Sequence, residues 1–194
     1  EEFEVTANKQ EKGDDLFFTK LCYTALDQVA PDMANARNHI LKYAGHDLLL
    51  YPASPEQAPR MAGEQERLWT PVINYATRSL GTAPKIQTSL SYTPQPETYM
   101  EALAGKLYTL SPWSLTALLV GTEAARSLLV GMAAIDDALT PKELAQAVFA
   151  EENLHDVLSD PEHRYGPDPD NLAAQAQLEK LLDQARTFYS LSSD

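Results

Sequence analysis

Apolar residues recur at three- and four-residue intervals along most of this chain, and the densest run lies between Leu110 and His155. That spacing puts them on one face of a helix, because about 3.6 residues complete a turn. Ser111-Pro112-Trp113 reads as the start of the first of two long helices. The Ser111 hydroxyl is available to cap free backbone N–H groups, and Pro112 takes a first-turn position that needs no N–H. Leu115, Leu118, Leu119, Leu128, Leu129, Met132 and Ile135 make a broad apolar surface, while Gly121, Ala124, Ala125, Ser127, Gly131 and Ala134 keep the other sides small. A helix of that composition is expected between neighbours. Thr140-Pro141-Lys142-Glu143 has the spacing of a capping box and opens the second helix, so Leu110 to His155 reads as a buried helical hairpin.

The rest of the chain is read around that hairpin. Residues 1–15 are polar and acidic without a persistent period, an N-terminal arm with Phe3 and Val5 as its anchors. Leu16 to Val29 has mostly helical spacing and is expected to end before Pro31. Asp32 to Ala44 follows as a helix with Asp32 as cap and Gly45 as stop. Leu48-Leu49-Leu50-Tyr51 reads as a short strand, able to pair with a second one over Lys85 to Leu90. Between them, Met61 to Leu80 carries a helical stripe closed by Gly81, with Pro71 expected to kink or restart it. Tyr99, Leu103 and Leu107 mark a further helix. The prolines and acids of residues 159–170 read as an inserted loop, and residues 171–191 as a terminal helix. The expected fold is mainly α, about seven helices with two short strands, in one helical domain over residues 16–194.

The formal net charge of −13 argues against nucleic acid or an anionic membrane as partner, because phosphates are held mainly by Lys and Arg. A basic or neutral protein surface fits better. Trp113 to Ile135 is apolar enough to resemble a membrane span, but Glu123 and Arg126 fall near its middle, where charge is costly in hydrocarbon. Cys22 is the only cysteine and no Asn-x-Ser/Thr site occurs, which fits a reducing compartment. The sequence opens at Glu1 with neither Met nor a basic, apolar leader, as expected of a chain whose upstream segment is not included.

Residues with the chemistry of catalysis are sparse. Glu152 and His155 have the Glu-x-x-His spacing that di-iron bundles use twice, alongside two further glutamates. Asp160 and His163 repeat the spacing with a different acid in a Pro-interrupted loop, so a solvated acidic edge is the simpler reading. Glu151 and Glu152 are adjacent and point in different directions on a helix, a poor acid/base pair. Cys22 has the setting of a small buried hydrophobe, and there is no Gly-x-Ser-x-Gly turn. Gly63, Gly81 and Gly105 are isolated and cradle no phosphate; His39 and His46 lack a second ligand at metal spacing. No catalytic residue, metal site or cofactor is expected, and the chain reads as a non-enzyme.

A series of short runs carries more. Leu21-Cys22-Tyr23-Thr24-Ala25-Leu26-Asp27 fits Leu-x-x-Thr-Ala-x-Asp, and Asp47-Leu48-Leu49-Leu50-Tyr51 fits a short-strand motif. Gln65-x-x-x-Trp69-x-Pro71 ahead of Gly81, then Gln95-Pro96, Ser127-Leu128 and Ala150-Glu151-Glu152, follow in order. Together, from Glu2 to Gly166, they resemble the ATP synthase mitochondrial assembly factor 2 family, chaperones of the alpha subunit of the ATP synthase catalytic head in mitochondria and alphaproteobacteria. The pattern departs at Phe3, where a Trp is usual, at Ala125-Arg126 for Thr-Gly, at His155 for Gln and at Tyr165-Gly166 for a displaced Trp-Gly. The family's N-terminal beta domain has no counterpart in these residues.

The resemblance implies a helical chaperone that binds the unassembled alpha subunit, in the mitochondrial matrix or the cytoplasm of an alphaproteobacterium. It implies partner-binding positions at Glu152, Glu151, His155, Trp69 and Tyr165, with core packing the competing role for Trp69. The alternative is a structural subunit of the same fold, fixed among neighbouring subunits of a mitochondrial respiratory or ATP synthase complex.

Overall fold

In the computed structural model, which describes residues 16–88, 93–159 and 168–192, the chain enters through helix α1 (Phe17–Tyr23). It continues into a π turn (Thr24–Val29) and a 3-10 turn (Ala30–Asp32). Pro31 does not end the helical path as expected; it lies in the first turn of the 3-10 segment, where its missing N–H is not needed. Asp32 caps α2 (Met33–Gly45), accepting from the Asn35 N–H at 3.0 Å. Helix α3 (Pro59–Leu80) runs through Pro71 as one element and ends at Gly81 with a left-handed φ of 69°. Burial of Gln65, Trp69, Val72 and Ala76 along one face outweighs the backbone hydrogen bond that the proline ring deletes. Helix α4 (Glu97–Tyr108) buries Tyr99, Leu103 and Leu107.

The fold is mainly helical, and neither expected strand forms among the described residues. Leu48–Leu50 is a 3-10 turn, wound by the Asp47 side chain accepting from the Leu49 N–H at 3.1 Å. Residues 83–88 touch it through one bond, Gln87 N–H to Leu50 O at 2.8 Å; Ser89 and Leu90 lie outside the described residues. Glutamine amides satisfy much of the remaining backbone. Gln95 accepts from the Lys85 N–H at 2.7 Å and donates to the Lys85 carbonyl at 2.9 Å, while Gln87 donates to the Thr93 carbonyl at 2.7 Å. Side chains thus take the place of a strand ladder.

The Leu110 to His155 hairpin folds as four helices rather than two: α5 (Pro112–Ala125), α6 (Leu128–Ile135), α7 (Pro141–Val148) and α8 (Ala150–Ser159). Ser111 caps α5, accepting from Ser114 N–H at 3.1 Å, and the Thr140–Glu143 capping box opens α7. The unexpected break comes at Arg126, whose φ of 50° is left-handed, followed by Ser127, whose hydroxyl accepts from Val130 N–H at 3.1 Å and starts α6. An arginine in that backbone region costs about 1 kcal/mol. The gain is that α6, buried at every residue from Leu128 to Ile135, folds back onto α5 with Gly121 against Gly131. Helix α9 (Pro169–Leu191) starts two residues earlier than expected, capped by Asp168, and lays Leu178, Leu182, Ala185 and Phe188 onto the core. The remainder of the expected inserted loop, residues 160–167, is outside the described residues, as are the 1–15 arm, Asp160, His163 and Tyr165.

Asp47 is fully buried and ties this core together. Its Oδ1 accepts from the Ser127 hydroxyl at 2.7 Å and the Leu49 N–H at 3.1 Å, and its Oδ2 from the Leu129 N–H at 3.0 Å. The carboxylate thus lies at the N-terminus of α6, where the unpaired N–H groups and the helix dipole favour negative charge. Burial is nevertheless the larger influence and pushes its pKa from 3.8 up to about 6. Tyr99, buried in α4, has a hydroxyl without a hydrogen-bond partner among the described residues. Its pKa is raised by burial first and by the Asp47 charge second.

Two outcomes follow. A Cβ at Gly131 would lie 2.9 Å from the Thr122 backbone nitrogen, so Gly131→Ala should destabilise the protein by about 1–3 kcal/mol. At Gly121 the same atom would meet its nearest neighbour at 3.5 Å, so Gly121→Ala should cost much less, and chemical denaturation of the pair checks the contrast. For Asp47 the folded chain holds its proton to a higher pH than the unfolded chain does, so its contribution to stability is largest below pH 3.8 and declines as pH rises to about 6. Relative to Asp47→Asn, the wild type should lose roughly 3 kcal/mol over that interval and then level off. Parallel stability profiles for the two proteins across the interval would contradict this account.

Candidate functional site

Gln65 and Trp69, four residues apart on one face of α3, reach across to the junction of α7 and α8. The Trp69 Nε1–H donates to the Ala147 carbonyl at 2.8 Å, satisfying an acceptor in the last turn of α7 that has no helical partner. The fully buried Gln65 accepts from the Ala53 N–H at 2.6 Å and donates to Glu151 Oε1 at 2.8 Å. These contacts clasp both sides of the break at Phe149, while Asn153 donates to Gln175 at 3.0 Å and fastens α8 to α9.

Above the clasp opens a cleft of about 320 Å³. Leu48, Trp69, Val148, Phe149, Leu178 and Leu181 give it apolar walls, and Arg126, Glu151 and Glu152 supply charge. The two glutamates occupy the first turn of α8, where negative charge is favoured by the helix dipole. Glu151 is held by Gln65. Glu152 and Arg126 are exposed, and neither forms a hydrogen bond or ion pair with a described residue. A concave apolar surface edged by unengaged charges of both signs can seat a side chain or short segment with matching ends.

Three of the five expected site residues, Trp69, Glu151 and Glu152, therefore meet at one cleft. Trp69 is at the same time core, only 3% exposed. His155 is exposed on the next turn of α8 and is not one of the cleft walls, and Tyr165 lies outside the described residues. Arg126 was not anticipated; its signal was a lone cation between Ala125 and Ser127 in an otherwise apolar run. Elsewhere, His39 bonds the exposed Glu123 at 2.9 Å, and Cys22 is half-buried in a separate groove with Phe18, Trp113 and Phe188. Among the described residues no three His, Cys, Asp or Glu side chains are grouped to hold a metal, and no helix is long and apolar enough to cross a membrane.

The sequence profile of the family described as ATP12 chaperone protein matches residues 1–77. Among solved structures, Atp12 from Paracoccus denitrificans is similar with a TM-score of 0.73 at 25% identity, covering 89% of this chain and 71% of that one. A point mutant of the same bacterial protein gives a TM-score of 0.74 at 25% identity, over 89% and 70%. A chaperone candidate from Agrobacterium tumefaciens shares the fold with a TM-score of 0.72 at 24% identity, over 90% and 62%. No curated protein sequence matches the chain. The first 77 residues thus carry the sequence signature of the ATP12 chaperone family, and the fold is similar to that of bacterial Atp12.

Proposed function

We propose that this protein binds the unassembled alpha subunit of the ATP synthase catalytic head and shields it until its proper partner takes over. The observation that carries the reading is the meeting of Trp69, Glu151 and Glu152 at one cleft, in a fold shared with Paracoccus Atp12. Apolar walls edged by charges of both signs suit recognition of a protein segment. Glu152 is the free acid of the site, and a net charge of −13 favours encounter with a basic or neutral protein surface. The solved structures of this fold come from bacteria, which favours a bacterial cytoplasm over the mitochondrial matrix as the working compartment.

Transient capture separates this reading from that of a fixed subunit. Purified from its source, the protein should associate with free alpha subunit and be missing from the mature ATP synthase; stoichiometric comigration with a mature complex would overturn the proposal. Glu152→Lys should weaken alpha-subunit capture at least tenfold. Because Glu152 is exposed in the first turn of α8, the folded state should lose only about 0.5 kcal/mol from the reversed helix-dipole contact. Undiminished capture by a folded Glu152→Lys protein would remove Glu152 from the site.

A further inference from the structure

The cleft carries both signs of charge, and only one sign is accounted for by an affinity for basic surfaces. Glu151 already has one donor in Gln65. Glu152 needs a cation. Arg126 needs an anion, and none is supplied by the described residues. When a partner segment closes over the apolar walls, the guanidinium loses water. An unpaired charge in that setting costs far more than it does in solvent. A purely basic partner is therefore selected against at this end of the cleft, even though the protein as a whole is strongly acidic.

We propose that Arg126 is a specificity-determining residue that requires an acid on the partner. The occupant is a polypeptide segment with a carboxylate for Arg126, an apolar side chain against Leu48, Val148 and Leu181, and a lysine or arginine for Glu152. The guanidinium presents a fixed fork of donors that suits a carboxylate in two-point contact. Its backbone supports this assignment. At φ 50°, glycine would sit there without strain, and the chain instead holds an arginine whose exposed side chain reaches the cleft. This inference rests on the cleft being the partner surface, as proposed above, and not on the identity of that partner.

The test uses synthetic peptides that set a glutamate and a lysine on either side of one or two leucines, in both orders, beside the same peptides with glutamine for glutamate. Binding is measured by calorimetry to the wild type, Arg126→Gly and Glu152→Gln. The wild type should prefer at least one glutamate peptide over its glutamine counterpart by roughly tenfold. Arg126→Gly should erase that preference while raising the denaturation midpoint, a combination that a merely structural arginine would not give. Glu152→Gln should weaken binding of that peptide and keep its glutamate preference. A wild type indifferent to the glutamate, or a preference that survives in Arg126→Gly, would overturn the assignment. Glutamate preference without alpha-subunit capture would sink the proposed function and leave the role of Arg126 standing; capture without the preference would do the reverse.

Discussion

The cleft end of the fold depends on how one buried carboxylate is satisfied. Asp47 accepts from the Leu49 and Leu129 N–H groups and the Ser127 hydroxyl, drawn from positions up to 82 residues away in the chain. These bonds fix the axial position of α6 against the 3-10 turn at Leu48–Leu50. Their reach extends one residue further on each side. Leu48 follows Asp47 and Arg126 precedes Ser127, and both line the cleft. A contact made for the interior thus sets the spacing between an apolar wall and a charged rim.

The second fixture is the clasp from α3. Gln65 and Trp69 bond the two sides of the α7–α8 break, so the first turn of α8, which carries the glutamates, is tied to α3. Sites held by regular elements lose less entropy when they bind than sites on loops. The charges differ in their freedom: Glu151 is spoken for, while Glu152 and Arg126 remain available.

The sequence is legible where the physics is local. The caps at Asp32, Ser111 and Thr140 and the stop at Gly81 each follow from a residue type at one spacing, and each forms. Long-range effects were not legible. Ala125-Arg126-Ser127 has apolar residues on both sides and reads as continuous helix; the break depends on Gly121 meeting Gly131 after the chain reverses. Leu48-Leu49-Leu50 is a short apolar run, ambiguous between strand and helix, and the Asp47 bond to Leu49 decides for a 3-10 turn. Of the cleft residues, Trp69, Glu151 and Glu152 stand out in the sequence through ordered motifs and not through chemistry, since an acid on a helix edge resembles any other. Arg126 could be weighed only after the turn had brought it to the cleft.

The chain contains two tryptophans, and the fold gives them separate surroundings. Trp113 packs against Phe188 at 6.1 Å between ring centres, in the groove beside Cys22. Trp69 lies in the cleft wall with its indole nitrogen bonded to Ala147. With Trp113 replaced by phenylalanine, the tryptophan emission of the protein would come from the cleft wall alone. A segment seated in the cleft would register in that emission, with no dye or tag to disturb the charges on its rim.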